Sequence, residues 1–207
     1  MQLKTLFIDW DGTLSNSKFW ENCDNPKLPP QIIQAFTEYL FRDAHNLVSE
    51  WMRGFRSSAT IVTVLADVFG LDGNLLYDEL RKSCERMRLV DSTIPSLVQK
   101  IRAKGTKVVI ATDNMDTFQN WTVAALGLDE IFDGVLDSPS RGSLKADIDN
   151  GYSPFFGLYL SQQGVKPHES ILIDNSENNR AIESIGIDFK HINGADGLLN
   201  ALNGIAQ

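Results

Sequence analysis

Three short apolar segments, each ending abruptly in polar residues, constrain the fold of this chain more than any other feature. They cover residues 6–8, 108–111 and 171–173. Short segments that are apolar throughout are typical of strands buried on both faces of a parallel sheet. Polar residues at the carboxyl ends of such strands line the crevice in which α/β proteins bind ligands. The pattern therefore predicts a parallel sheet with a functional site along one edge.

Helical patterns lie between the apolar segments. They cover residues 96–104, 117–126, 155–163 and 178–185, and a glycine follows each of them. Glycine directly after a periodic segment is a common signal for the end of a helix. The alternation of strand and helix predicts an α/β fold with a doubly wound, Rossmann-like parallel sheet. Residues 135–136 and 189–192 are expected to add short edge strands.

Residues 15–90 break this alternation, because they form a stretch too long for a simple crossover connection. Their apolar spacing predicts helices over residues 32–41, 59–69 and 75–87. We therefore expect an inserted all-helical cap domain at residues 15–90. The Rossmann-like core would consist of residues 1–14 and 91–207.

Length and charge limit the possible classes of protein. The 207 residues carry a formal charge of -8, and the sequence pI is about 4.8. A protein that coats nucleic acid needs a basic face, so nucleic acid is not an expected partner. No apolar segment is long enough to cross a membrane, Asp9 follows Met1 too closely for a signal peptide, and Cys23 and Cys84 are far apart. These features favour a cytoplasmic protein with reduced thiols and no membrane partner.

Two carboxylates come directly after the first apolar segment, in Asp9-Trp10-Asp11-Gly12-Thr13. Residues two apart in extended backbone point to the same side, so Asp9 and Asp11 would repel each other. A divalent cation is the usual way to offset such repulsion. A motif this short often occurs by chance, so the alternative is that the two acids only cap a turn.

The other segments end in groups that suit a phosphate and a cation. Thr112, Asp113 and Asn114 follow the second segment and offer a hydroxyl and N–H groups for phosphate oxygens. Asp174 follows the third, where a further acid suits octahedral Mg²⁺. Each of these ends could equally be a helix N-cap. Lys145 lies in the loop between the expected strand at 135–136 and the helix at 155–163. Its only notable feature is this position between the second and third apolar segments.

That order of motifs resembles the haloacid dehalogenase superfamily of phosphohydrolases. The family has a strand-end Asp-x-Asp, a Ser or Thr, a Lys or Arg, and an acidic strand end. Here these correspond to Asp9 with Asp11, to Thr112, to Lys145 and to Asp174. The resemblance covers about residues 3–14 and 91–192. Residues 15–90 also resemble the helical cap that some members of the family have after the first motif.

The resemblance implies a catalytic role for Asp9, Asp11, Thr112 and Lys145. Asp9 would be the nucleophile that forms an aspartyl-phosphate, and Asp11 the general acid and then the general base. Mg²⁺ would be held by Asp9, by the main-chain carbonyl of Asp11 and by Asp174. Phosphate would be bound by Thr112, Asp113, Asn114 and Lys145. Whether Asn175 or Asn178 completes the metal shell stays open at this point.

The expected function is therefore that of a Mg²⁺-dependent phosphatase for a small phosphorylated metabolite, acting as a monomer or homodimer. A phosphotransferase or phosphomutase would keep the same motifs. A non-catalytic regulatory binding protein would not need an acid at position 11. A receiver-type phospho-acceptor domain would lack the helical insertion.

The insertion also contains basic and aromatic residues that could bind a second part of the substrate, namely Arg42, His45, Trp51, Arg53 and Arg56. The alternative is that Trp51 and Phe55, four residues apart on a helix, belong to the core of the insertion. In that case Arg53 and Arg56 would be solvated.

Overall fold

A computed structural model describes residues 3–21, 23–177 and 180–207. Within these ranges, five strands form one parallel sheet in the order β3-β2-β1-β4-β5. The strands are β1 (Thr5–Ile8), β2 (Lys107–Thr112), β3 (Gly134–Asp137), β4 (Ser170–Asp174) and β5 (Asp188–His191). The predicted α/β fold is confirmed, including both short edge strands.

The direction in which the chain adds strands reverses at β1, since β2 and β3 lie on one side of it and β4 and β5 on the other. Ile8 pairs with Ile110 of β2 and with Ile173 of β4. The carboxyl ends of the three predicted strands are therefore adjacent. In doubly wound sheets ligands bind where the strand order reverses, and here that point lies between β1 and β4.

Burial on both faces of the sheet explains why the central strands are apolar throughout. Leu6 and Ile8 belong to one buried cluster, whereas Phe7 between them belongs to another. Successive side chains of a strand point to opposite faces, so an entirely apolar strand can supply both clusters. The edge strand β5 is mostly exposed, which matches its polar sequence.

Helices inserted between β1 and β2 occupy most of the stretch predicted to be a cap. They are α1 (Pro30–Glu38) with a π-helical continuation (Tyr39–Asp43), α2 (His45–Met52), α3 (Ser58–Phe69) and α4 (Gly73–Glu85). The three predicted helices are confirmed, but α2 was missed. Its N-cap residue is Ala44, whose side chain makes no capping bond, so the sequence carries no start signal there. That the insertion forms a domain of its own stays a prediction.

The remaining α-helices lie in the core part of the chain, with α5 before β2 and the others after β2, β3, β4 or β5. They are α5 (Ile94–Ala103), α6 (Val123–Leu126) after a π-helical segment (Phe118–Thr122), α7 (Leu128–Ile131), α8 (Ser138–Arg141), α9 (Gly157–Gln163), α10 (Arg180–Ser184) and α11 (Gly194–Ala206). Four of them correspond to predicted helices, although Asn178, the predicted start of α10, lies outside the described residues. Helix α11 was missed because its three glycines weaken the helical signal. In the described ranges no helix is long and apolar enough to span a membrane.

Aromatic side chains hold the insertion together. Phe36 of α1 is fully buried, and its ring lies 5.4 Å from that of Trp20 and 5.0 Å from that of Phe69. Phe41, five residues later, is 57% exposed. The two phenylalanines therefore make a matched pair for measuring how much this aromatic cluster stabilises the protein.

We expect Phe36→Ala to lower the free energy of unfolding by about 3–5 kcal/mol, because it leaves a cavity between two rings. Phe41→Ala should change it by less than about 0.5 kcal/mol, since the ring is largely in water already. Urea unfolding of both variants measures the difference. Equal losses would contradict the packing described here.

Candidate active site

A buried ammonium group between two buried carboxylates lies at the carboxyl edge of the sheet. Lys145 Nζ is 2.6 Å from Asp9 Oδ1 and 2.6 Å from Asp174 Oδ2. All three residues are more than nine-tenths buried. The backbone N–H of Asp9 donates to Ile173 O at 2.9 Å, which continues the pairing of β1 with β4 and fixes the two acids side by side. Three residues that the sequence suggested as catalytic or metal-binding thus lie in contact with one another.

The charges of this cluster do not cancel. Burial raises the pKa of Asp9 to about 6; the charge of Lys145 opposes this rise, and Asp174 adds to it. Burial disfavours the charged form of Lys145, but Asp9, Asp174 and Asp113 together raise its pKa above the usual value. Burial also raises the pKa of Asp113, again opposed by Lys145. One ammonium facing three carboxylates leaves a negative site that a further cation would stabilise.

The donor set fits Mg²⁺ better than a metal that needs many side-chain ligands. In the part of the chain that the structure describes, no three His, Cys, Asp or Glu side chains are grouped for metal binding. Asp9 and Asp174 are the two buried carboxylates in contact with Lys145, with the main-chain carbonyl of Asp11 as the predicted third donor. Mg²⁺ commonly keeps several waters and takes only one or two carboxylates.

The side chain of Asp11 lies outside this buried cluster. It is 58% exposed, and its Oδ1 atom is 2.6 Å from Lys18 Nζ. Trp10, between the two acids, is instead buried, and its ring lies 5.0 Å from that of Phe118. The motif therefore directs Asp9 into the protein, whereas the carboxyl group of Asp11 faces solvent, where an incoming molecule can reach it.

The end of β2 offers a hydroxyl to the site. Thr112 is fully buried, and its Oγ1 makes no hydrogen bond to any described residue. An unpaired buried hydroxyl is costly, so a phosphate oxygen next to it would be stabilising. Its neighbours are already engaged: Asp113 Oδ1 accepts the N–H of Lys145 at 2.8 Å, and the N–H of Asn114 donates to Ser138 Oγ at 3.0 Å. Phosphate binding by Asp113 and Asn114 stays a prediction, and the bonding favours Thr112 over them.

The turn after Asp9 is braced by Asn175. Gly12 has a positive φ of 77°, and a Cβ atom there would lie 2.3 Å from Asn175 Nδ2. Thr13 Oγ1 also donates to Asn175 Oδ1 at 3.3 Å. Asn175 therefore supports the loop that follows Asp9 and Asp11, and it provides a reason for Gly12 that the motif alone did not. Asn178, the other candidate for the metal shell, lies outside the described residues.

The helical insertion contacts the core through two acids, Asp116 and Asp147, that the sequence did not single out. Asp116 accepts hydrogen bonds from Trp51 Nε1 at 2.8 Å and from the N–H of Ser58 at 3.0 Å. Arg53 forms a two-pronged ion pair with Asp147, so it is not simply solvated. Trp51 is buried as expected, but Phe55 is 70% exposed, and its assignment to the core was wrong. No spacing signal could have found these pairs, because their members lie far apart in the sequence.

Comparison with known proteins assigns the chain to a family. The chain matches the haloacid dehalogenase-like hydrolases over residues 3–181. The chain belongs to this family. The resemblance carried by the four motifs is thus confirmed, and the protein is a hydrolase of the haloacid dehalogenase type. No curated protein shows significant sequence similarity to the chain.

Solved structures of the family share the fold at low sequence identity. A predicted HAD-like hydrolase from Porphyromonas gingivalis is 16% identical with a TM-score of 0.70, covering 100% of this chain and 99% of that one. A HAD family enzyme from Bacteroides thetaiotaomicron, in complex with magnesium and inorganic phosphate, is 16% identical with a TM-score of 0.64, covering 93% and 96%. L-2-haloacid dehalogenase from Xanthobacter autotrophicus, with chloropropionic acid covalently bound, is 17% identical with a TM-score of 0.64, covering 98% and 83%.

Replacing Gly12 by alanine should destabilise the protein more than the same change at Gly105. Both glycines have positive φ, which costs an alanine about 1–2 kcal/mol, but Gly105 has open space around it. Gly12→Ala must in addition displace the amide of Asn175. Urea unfolding of the two variants compares these costs directly. A loss at Gly12 no larger than at Gly105 would contradict the contact with Asn175.

Proposed function

We propose that this protein is a Mg²⁺-dependent phosphatase that hydrolyses a small phosphate monoester through an aspartyl-phosphate at Asp9. The observation that carries the proposal is the Lys145 ammonium, 2.6 Å from both Asp9 and Asp174. The unpaired Thr112 hydroxyl at the neighbouring strand end adds a group suited to a phosphate oxygen. The related enzyme from Bacteroides thetaiotaomicron, crystallised with magnesium and inorganic phosphate, supports this class of ligand.

The first step forms a bond between a carboxylate oxygen of Asp9 and phosphorus, and the bond from phosphorus to the alcohol oxygen breaks. Asp11 gives its proton to the departing oxygen. Lys145 and Thr112 hold the phosphate oxygens and stabilise the charge that spreads over them. Mg²⁺ bound by Asp9, Asp174 and the Asp11 carbonyl would screen the negative charges of nucleophile and phosphate.

The second step returns the enzyme to its starting state. Asp11, now ionised, takes a proton from a water molecule as that water attacks phosphorus. The bond between phosphorus and Asp9 then breaks, and inorganic phosphate leaves. The exposed carboxyl group of Asp11 suits both steps, because it must meet an alcohol in one and a water in the other.

The presence of Asp11 favours phosphate chemistry over dehalogenation, which the relative from Xanthobacter autotrophicus represents. A halide ion leaves carbon without needing a proton, so an acid at this position has no task in that reaction. An alkoxide leaving phosphorus is a strong base and does need one. A phosphotransferase or phosphomutase would use the same first step. Product analysis distinguishes the two, because a phosphatase releases free phosphate and a transferase or mutase does not.

Asp9→Asn should abolish Mg²⁺-dependent release of phosphate from a generic aryl phosphate, because an amide is a poor nucleophile. We expect a loss of about a thousandfold or more. Removal of divalent cations with EDTA should have a comparable effect on the wild type, reversed by added Mg²⁺. The measurement is initial-rate release of phosphate, with circular dichroism as the check on folding.

The matched control is Asp67→Asn, which changes an exposed aspartate of α3 and should leave the rate unchanged. Phosphate release that survives Asp9→Asn or EDTA at the wild-type rate would refute the proposed mechanism.

A further inference from the structure

Lys145 lies in a tight turn whose shape depends on Asp147. The N–H of Asp147 donates to Leu144 O at 3.0 Å, and the N–H of Leu144 donates to Asp147 Oδ2 at 2.9 Å. The N–H of Lys145 itself donates to Asp113 Oδ1. Two carboxylates thus hold the backbone from which the Lys145 side chain extends to Asp9. Unlike Asp9 and Asp174, Lys145 has no strand to fix its position.

These two carboxylates repel each other. The charge of Asp147 contributes to raising the pKa of Asp113, after burial as the main cause. Both also lie beside a site that already contains Asp9 and Asp174. Lys145 offsets part of the charge of Asp113, but its ammonium is also shared between Asp9 and Asp174. A second cation would offset the charge of Asp147.

Arg53 supplies that cation from the helical insertion. It follows the end of α2 and bonds both carboxylate oxygens of Asp147, through Nη1 to Oδ2 and through Nη2 to Oδ1, the latter at 3.1 Å. Its side chain is 24% exposed and that of Asp147 is 36% exposed, so the pair is partly shielded from water. Partial burial would raise the pKa of Asp147, but Arg53 and the N–H of Leu144 together lower it.

The connection that carries Arg53 is itself anchored on the core. Trp51, two residues before it, and Ser58, five residues after it, both donate to Asp116. Between them, Gly54 approaches the core so closely that a Cβ atom would lie 2.7 Å from Pro139 O. Arg53 is therefore presented by a docked segment, which reduces the entropy lost when it binds Asp147.

We propose that Arg53 is a positioning residue for catalysis: through Asp147 it holds the turn that places Lys145 between Asp9 and Asp174. The helical insertion thereby helps to assemble the catalytic site as well as covering part of the core. The catalytic part of this inference rests on the proposed phosphatase function, whereas the structural part does not.

The test combines hydrogen–deuterium exchange with kinetics on Arg53→Ala, Asp147→Asn and the double variant. In Arg53→Ala the amides of Leu144 and Lys145 should exchange faster, while those of β1 and β4 stay unchanged. The kcat for a small aryl phosphate should fall between about tenfold and a hundredfold, as expected when a catalytic group is misplaced. KM should change by less than about threefold, because Arg53 does not touch the substrate. The double variant should be no slower than the slower single variant.

Two further variants complete the comparison. Arg81→Ala is the control, since Arg81 belongs to the helical insertion but pairs only locally, with Asp78 and Glu85 of its own helix α4; neither exchange at Leu144 and Lys145 nor kcat should change. Arg53→Lys should recover part of the lost kcat, because an ammonium keeps the charge but not the two-pronged geometry.

Three results would overturn the inference. Unchanged exchange at Leu144 and Lys145 in Arg53→Ala would do so even if activity falls, because Arg53 would then act on the substrate directly. Faster exchange with wild-type kcat would show that catalysis does not need the held turn. A higher KM at constant kcat would assign Arg53 to substrate binding. If the wild type releases no phosphate, the proposed function fails, and the exchange data alone decide the positioning role.

Discussion

The ion cluster of Lys145 with Asp9 and Asp174 is the interaction on which the site depends. The parallel sheet places two carboxylates side by side at the point where the strand order reverses, and burial makes their charges costly. Without Lys145 the pair would be uncompensated, and breaking a buried ion pair typically costs about 3–5 kcal/mol. The unbalanced negative charge makes this edge of the sheet unfavourable alone and would be offset by a cation. A bound cation would in turn attract a phosphate. Lys145 is therefore needed both to stabilise the buried carboxylates and, in the proposed mechanism, to take part in the reaction.

The three charged groups reach this place by different routes. Asp9 and Asp174 are fixed by the pairing of β1 with β4. Lys145 lies in a loop, so its position is fixed by side-chain contacts and not by strand pairing. Asp113 and Asp147 bind the backbone of the turn, and Arg53 from the insertion binds Asp147. Under the proposed mechanism, the activity of Asp9 on the core would thus depend on the docking of a distant helical segment.

Much of the fold could be predicted from the sequence, because apolar strands that end in acids follow from burial on both faces. The candidate residues of the four motifs could also be found from the sequence, because they occur along the chain in the same order as the motifs of the family. The contacts between the insertion and the core could not be predicted. Arg53 and Asp147 are 94 residues apart, and Trp51 and Asp116 are 65 apart, so no local pattern connects them. Helix α2 lacked a capping residue, and the exposure of Phe55 depends on how the insertion docks. The carboxylate of Asp113 could be placed only once its bond to the Lys145 backbone was visible.

The most direct test of the proposed mechanism is to look for the phosphoryl group on Asp9 itself. In Asp11→Asn the base for the second step is missing, so the aspartyl-phosphate should accumulate after mixing with Mg²⁺ and an aryl phosphate. Acid quenching followed by peptide mass spectrometry should find one phosphoryl group on the peptide that contains Asp9, and none when Mg²⁺ is absent. A phosphoryl group on another residue, or continued release of the aryl alcohol with no modified Asp9, would contradict the account.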